Sequence, residues 1–169
     1  MSKDYTFNLG DFVVYPAHGV GQVTERQATT VAGQDLDFFH VYFTKNKLTV
    51  QIQSDQVTEK GLRHISTPDV MDTVKSILGK PKLANKKTSR NWNKRKEEYT
   101  AKINSGDPLA IADVIHKVYK KENQNSSAHE LYQKAMSRLA PEYALSYGIE
   151  EAEAQAEIEK ILDSAVSAE

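Results

Sequence analysis

The sequence predicts an α+β chain of two domains, a small curved β-sheet or barrel followed by an all-helical bundle of about five helices. Two observations predict this division. Up to residue 62 the apolar residues are largely aromatic or β-branched and come in short runs between turn residues, whereas from Ser66 onward they recur at helical spacing. With 169 residues and no cysteine, the chain can form two modest cores, and neither can be held by a disulfide.

Four short strands are predicted in the first domain, each bounded by residues that favour turns. The turns are expected at 16–19, 32–35 and 45–47, and the strands at 12–15, 20–24, 38–44 and 48–52. In the last strand apolar residues alternate with Thr49, Gln51 and Gln53, which are therefore expected on the opposite face. Because the strands are short and closely spaced, they favour a small, strongly curved sheet or barrel.

Prolines, glycines and side-chain caps mark out the helices of the second domain. Asp107 and Pro108 form a cap and first-turn pair, and Ser127 with Glu130 forms a capping box. Pro141 is expected to start a separate short segment. The helical segments are expected at 68–79, 89–104, from 108, at 127–139, from 141 and at 150–166, which gives domains of residues 1–62 and 66–169.

The net charge of −1 conceals an uneven distribution of charge along the chain. Residues 80–102 contain nine lysines and arginines against two glutamates, whereas residues 142–169 contain eight acids and one lysine. A charge run is usually a solvated surface, but this density of cations also suits contacts with nucleic-acid phosphates, which depend little on base sequence. The acidic end either screens the basic window or closes the helical core.

The single tryptophan, Trp92, lies inside the basic window. Helical spacing places Trp92, Tyr99 and Ile103 on one face, so one interpretation is that the indole packs in the core. The other interpretation is a partly exposed wedge that enters a distorted base step while neighbouring cations contact phosphates. The sequence leaves both interpretations open.

The sequence has no pattern that indicates an enzyme or a metal site. Its five histidines lie far apart, and no phosphate-binding glycine loop or nucleophile elbow occurs. We therefore expect no catalytic residues, no metal, no cofactor and no small-molecule substrate. A start without an apolar signal-peptide core, and the absence of an apolar run of membrane-spanning length, predict a cytoplasmic protein with no membrane partner.

The most distinctive motif of the chain is its opening segment, Phe7-x-x-Gly10-Asp11-x-Val13-Val14-Tyr15-Pro16-x-His18-Gly19-Val20-Gly21. Further motifs follow in order, namely Leu48-Thr49-Val50, Gly61-Leu62-Arg63, Asn91-Trp92-x-x-Arg95 and Lys102-Ile103-Asn104-Ser105-Gly106-Asp107. Together, over roughly residues 7–145, they resemble the CarD/CdnL family of bacterial transcription regulators. The opening motif is also similar to the RNA-polymerase-binding module of the transcription-repair coupling factor.

The resemblance implies a Tudor-like first domain that docks on the β subunit of RNA polymerase by extending a sheet. The residues implied on that side are Val41, Phe43, Thr49, Gln51, Gln53 and Thr29. Three of them depart from relatives, because Thr29 and Gln51 stand where some members have arginine, and Gln53 where many have proline. Docking is therefore expected to depend on backbone pairing and apolar contact more than on ion pairs.

The resemblance implies that the helical domain touches promoter DNA, largely independently of sequence and in the minor groove, at the upstream fork of the transcription bubble. The residues implied there are Trp92, Lys86, Lys87, Arg90, Lys94 and Arg95. A monomer that binds the melted promoter better than the closed one would stabilise the open complex. Such a protein would be associated with the nucleoid through the polymerase. The alternatives are an adaptor that docks on polymerase without wedging DNA, and a non-specific nucleic-acid chaperone.

Overall fold

The computed structural model of the chain describes residues 7–81, 92–119 and 125–167. The chain divides into two compact units between Ile65 and Ser66. The first unit contains a five-stranded antiparallel sheet, and the described part of the second is helical. The predicted α+β class, with a small sheet before an all-helical domain, is therefore confirmed.

The strands are β1 Phe12–Tyr15, β2 Gly19–Val31, β3 Gln34–Phe43, β4 Leu48–Gln53 and β5 Arg63–His64, with a 3-10 helix at Ser54–Gln56 after β4. Their order across the sheet is β4-β3-β2-β1-β5. All four predicted strands are present, and β5, which has only two residues, was not predicted. Because β4 is first in this order, it forms one edge of the sheet.

The hairpin of β2 and β3 is longer than the sequence predicted. Ala32 and Gly33 both have positive φ, at 52° and 79°, which is the conformation of a two-residue turn whose twist matches that of the strands. The Arg26 guanidinium donates to both carboxylate oxygens of Asp37 across the hairpin, with Nε 2.9 Å from Oδ2 and 3.1 Å from Oδ1. Cross-strand polar pairs of this kind stabilise the distal part of the hairpin.

One face of the sheet covers a closed apolar core. At Gly21 a Cβ atom would lie 2.7 Å from side-chain atoms of Val41 and Phe43, so a glycine on β2 lets these two side chains of β3 lie close over the β2 backbone. The buried residues of this core are Phe7, Val13, Val23, Phe39, Val41, Phe43, Ile52, Val57 and Leu62. We call this side the inner face, and the opposite side the outer face.

Five helices occur in the described part of the second unit. They are α1 Pro68–Leu78, α2 Trp92–Asn104, α3 Pro108–Val118, α4 Ser126–Tyr147 and α5 Glu151–Ser167. As predicted, α1 begins at Pro68 and is followed by Gly79, and the Asp107 carboxylate caps α3 by accepting from the Leu109 N–H at 3.0 Å. No helix in these ranges is long and apolar enough to cross a membrane.

Two predictions about α4 were wrong. The N-cap is Asn125, whose side-chain oxygen accepts from the N–H groups of Ser127 and Ala128 at 2.9 and 3.4 Å, so the predicted capping box at Ser127 does not form. The helix also continues through Pro141 to Tyr147 instead of restarting. Buried residues before and after the proline pack into the helical core, and this packing offsets the backbone hydrogen bond that proline cannot make.

The acidic helix α5 closes the helical core, which is one of the two roles that the sequence left open for it. Its buried stripe consists of Ala154, Ile158, Leu162 and Ala165. Three tyrosine hydroxyls from α4 and from the end of α3 donate to its carboxylates, in the pairs Tyr143 to Glu157, Tyr132 to Glu159 and Tyr119 to Asp163. Several acids of this helix therefore serve as hydrogen-bond acceptors in the folded domain.

Candidate functional site

The first candidate surface is the edge strand β4. Its residues pair with β3 from Leu48 opposite Phe43 to Gln53 opposite Phe38. Among the strands that the structure describes, none pairs with the other side of β4. The main-chain N–H and C=O groups on that side can therefore pair with a strand from another protein.

Four of the six residues implied in polymerase binding lie on the outer face of the sheet. Register sets Gln51 beside His40 and Gln53 beside Phe38, and on the far part of the hairpin it pairs Thr29 with Leu36. Thr49 and Gln51 are exposed, whereas Gln53 and Thr29 are half-buried. These four side chains can reach a partner that pairs with β4 or covers the outer face.

The other two residues, Val41 and Phe43, require a correction. Their side chains are 0% and 1% exposed and belong to the core of the sheet. Neither side chain can touch a partner while the sheet is intact. Their outward-facing neighbour on β3 is Tyr42, which sequence reasoning missed because aromatic and apolar residues fill both faces of this strand.

His40 occupies the middle of the outer face. Its Nε2 lies 3.1 Å from the Gln27 side-chain oxygen and its Nδ1 lies 3.7 Å from a carboxylate oxygen of Glu25. Glu25 is the one acid that β2, β3 and β4 place on this face, and these three strands place no lysine or arginine there. On these three strands the outer face therefore consists of uncharged polar and apolar side chains, with a single carboxylate beside the central histidine.

The second candidate surface surrounds Trp92, the first described residue of α2. Its ring is half-buried and packs against the helical core. The ring of Tyr99 meets it edge to face, with the centroids 6.4 Å apart. The indole Nε1 is buried and has no hydrogen-bond partner among the described residues. Trp92 thus combines features of both interpretations, because one part of the ring packs on the core while another part stays accessible.

The cations of α2 fall into two groups. Lys94 is exposed and Arg95 is half-buried, and neither forms an ion pair within the part of the chain that the structure describes. Lys102, by contrast, lies 2.6 Å from a carboxylate oxygen of Asp113. Burial raises the pKa of Asp113, but hydrogen bonds from Lys102 and from Lys117 outweigh it and hold that pKa below its usual value.

The remaining cations implied in DNA contact, Lys86, Lys87 and Arg90, lie outside the described residues. On α2 itself, a shallow groove follows the exposed side of the helix. It is lined by Asn93, Lys96, Glu97, Thr100, Ala101 and Asn104. Sequence reasoning missed this polar stripe, although its spacing of three and four residues is visible in the sequence.

A strand-pairing edge in one unit and a cationic helix with a half-exposed tryptophan in the other are features of a binding protein with two contact surfaces. Comparison with known proteins supports this class. The CarD-like/TRCF RID domain matches residues 7–66, and the C-terminal domain of CarD matches residues 73–159. The chain therefore belongs to the CarD family, which makes it a transcription regulator of the kind that acts through RNA polymerase.

A relative of similar length agrees with this assignment. The chain is 22% identical over 148 residues to the candidate transcription factor YdeB of Bacillus subtilis (strain 168), and the match covers 86% of this chain and 95% of YdeB. A solution NMR structure of the 72-residue N-terminal domain of Myxococcus xanthus CarD is 32% identical. That match covers 35% of this chain and 79% of the other, with a TM-score of 0.31.

Proposed function

We propose that this chain binds the β subunit of RNA polymerase through the β4 edge of its sheet. We further propose that it stabilises the open promoter complex by contacting DNA at the upstream fork of the bubble through α2. The observation that carries the DNA-binding part is the half-exposed Trp92, followed on the same helix by Lys94 and Arg95, which have no ion-pair partner among the described residues. Family membership supports the polymerase-binding part.

Docking through β4 would proceed by strand addition. Each main-chain hydrogen bond formed across the edge contributes a net of about 0.5–1.5 kcal/mol, so a strand of a few residues can give useful affinity without any charged pair. The exposed side chains of Thr49 and Gln51 would lie beside the added strand and select among sequences. This mode of binding fits an edge whose exposed side chains carry no charge.

Contact with DNA would combine two effects. Cations on α2 would bind phosphates, which gives affinity for any sequence. The accessible part of the Trp92 ring would enter a base step, and unstacking such a step costs a few kcal/mol in intact duplex. At a fork the stack is already open, so the ring would bind the melted promoter better than the closed one and shift the equilibrium towards it.

The experiment that tests this proposal is the lifetime of open complexes on a ribosomal-type promoter, with purified polymerase, in the presence and absence of the protein. We expect a longer lifetime with the wild type and none of this gain with Trp92→Ala, while both proteins bind the β subunit equally. Leu145→Ala, at an exposed position of α4, is the matched control and should act like the wild type. Equal lifetimes with Trp92→Ala and the wild type would rule out the wedge.

A second candidate function is that of an adaptor that docks on polymerase without wedging DNA. The edge-to-face packing of Trp92 on Tyr99 favours it, because a ring held in this way can be purely structural. Fluorescence separates the two candidates, since Trp92 is the single tryptophan of the chain. Strong protection from a soluble quencher that persists on promoter DNA would support the adaptor, whereas a change in emission on binding forked DNA would support the wedge.

A further inference from the structure

We propose that two exposed aromatic rings on the outer face of the sheet, those of Tyr42 and Phe12, are apolar anchors for the polymerase β subunit beside the β4 edge. They would pack against apolar side chains of the same strand that pairs with β4 and of the surface beside that strand. This inference rests on the proposed docking through β4 and specifies what determines the choice of partner at that site.

The register of the sheet gives Tyr42 a neighbour on the outer face of each adjoining strand. Tyr42 lies directly opposite Thr49 on β4 and opposite Gln22 on β2, and Gln22 lies opposite Phe12 on β1. These four residues form one row across the outer face, which ends at the free edge. Neighbouring strands lie about 4.8 Å apart, so the row continues without a break into any strand that pairs with β4.

The aromatic residues of this row are exposed. Phe12 and Tyr42 are 43% and 36% exposed, although the neighbours of Tyr42 in sequence, Val41 and Phe43, are fully buried. Thr49, the member of the row at the free edge, has the shortest side chain of the four. A long side chain on an added strand can therefore pass over Thr49 and reach the Tyr42 ring, because diagonal and next-strand neighbours on one face are within reach of large side chains.

The charge of the outer face narrows the class of partner further. In the next row along the strands, Glu25, His40 and Gln51 lie side by side. Glu25 is the acid of this face, and β2, β3 and β4 place no lysine or arginine on it. The β-subunit surface that fits is therefore apolar opposite Tyr42 and Phe12, and neutral or basic opposite Glu25, because an acidic group there would be repelled.

The test measures the affinity of the full-length chain for purified β subunit. Because packing on an aromatic anchor commonly carries much of the energy of an interface, Tyr42→Ser and Phe12→Ser should each weaken binding by about tenfold or more. Tyr42→Phe keeps the ring and should bind within about twofold of the wild type. Leu145→Ser, at an exposed apolar position of α4, is the control, and circular dichroism checks that each variant folds.

Hydrogen exchange of the β4 amides, with and without the β subunit, separates this inference from the proposed function. Protection of β4 together with unchanged affinity of Tyr42→Ser and Phe12→Ser would overturn the inference and leave edge docking intact. Absence of protection would overturn both. An equal loss with Tyr42→Phe and Tyr42→Ser would also overturn apolar packing, because the two variants differ by the ring.

Salt dependence tests the charge part of the inference. An interface with apolar contact and one carboxylate should bind with nearly the same affinity at low and moderate salt. Glu25→Gln should bind as tightly as the wild type or slightly more weakly, and a clear gain in affinity with Glu25→Gln would show an acidic partner surface and overturn the assignment.

Discussion

The rings of Trp92 and Tyr99 meet edge to face, with 69° between their planes. Tyr99 is almost fully buried, whereas Trp92 is half-buried, so the tyrosine acts as a fixed support against which the indole rests. Pairs of this kind contribute about 0.5–1.5 kcal/mol beyond the burial of area. The orientation of the accessible part of Trp92 therefore depends on a residue that itself faces the core.

Replacing the support should change the environment of the indole. We expect Tyr99→Leu, which keeps apolar volume but removes the ring, to shift Trp92 emission to longer wavelength and to increase quenching by acrylamide. Tyr99→Phe keeps the edge-to-face pair and should leave both quantities near those of the wild type. Identical spectra for all three proteins would mean that Tyr99 does not hold the indole.

The N-cap of α4 is Asn125, whereas the sequence predicted a capping box that begins at Ser127. Substitutions at these two positions test which residue caps the helix. Asn125→Ala removes the acceptor for two backbone N–H groups and should lower the free energy of unfolding by about 1 kcal/mol. Ser127→Ala is the matched control and should have a smaller effect, because its hydroxyl does not cap the helix. Urea unfolding measures both, and a larger loss at Ser127 would contradict the assignment of the cap.

Because the Val41 and Phe43 side chains lie close over Gly21, any side chain at position 21 should lower the free energy of unfolding. Gly21→Ala places a methyl group 2.7 Å from atoms of Val41 and Phe43, and such overpacking costs about 1–3 kcal/mol. Gly33→Asn, in the turn of the hairpin, should cost less because asparagine tolerates positive φ and nothing lies within 4 Å of the new Cβ. Thermal unfolding distinguishes them, and equal losses would exclude a steric cause at Gly21.

Because the pKa values of two tyrosines are raised in the folded chain, we expect the helical domain to lose stability at alkaline pH. Burial, with a hydrogen bond to Glu157 or to Asp72, raises the pKa of Tyr143 and of Tyr147 well above the usual value. In the unfolded chain these hydroxyls lose their protons near pH 10, whereas in the folded chain they keep them. The unfolded state therefore binds fewer protons above that pH, and stability falls as the pH rises.

Phenylalanine variants measure this effect directly. Tyr143→Phe and Tyr147→Phe should each reduce the loss of unfolding free energy between pH 9 and pH 11, by at most about 1.4 kcal/mol for each pH unit above the unfolded pKa. Tyr42→Phe, in the other unit of the chain, is the control and should leave the slope unchanged. A pH dependence that is the same in all four proteins would contradict the prediction.

Local signals in the sequence were sufficient to predict the start of a helix or the position of a turn where that boundary depends on neighbouring residues alone. The starts of α1 and α3 follow from prolines in the first helical turn, and the hairpin turn at Ala32 and Gly33 was also predicted. The continuation of α4 through Pro141 was not, because it depends on contacts with residues distant in sequence. One of them is Ser66, whose hydroxyl donates to the buried Glu142 carboxylate of α4 at 3.0 Å. Long-range contacts of this kind leave no periodic pattern.

The candidate surfaces were predicted only in part, for similar reasons. Trp92 and its neighbouring cations were identified by composition, and the alternation in β4 placed Thr49 and Gln51 on the solvent side. In β3, however, both faces carry aromatic or apolar residues, so alternation could not tell Phe43 from Tyr42, and the buried residue was chosen. The stretch of β2 from residue 25 to 31 is mostly polar and has no apolar alternation, so it was not predicted as a strand. In the described part of the chain, pairing with β3 and cross-strand polar pairs such as Arg26 with Asp37 stabilise it.

The pairing of Lys102 with Asp113 bears on how strongly the affinity of this protein for a polyanion would depend on salt. The Lys102 ammonium already lies 2.6 Å from a carboxylate oxygen, so binding a phosphate would require it to leave that carboxylate. The freed carboxylate would then attract a cation from solution, so the net release of counterions would be small. Each phosphate neutralised by a cation lowers the logarithm of the binding constant by about 0.9 per decade of salt on duplex DNA. The number of basic residues between 80 and 102 therefore overstates the slope of such a titration, and carboxylates inside the domain help to set its value.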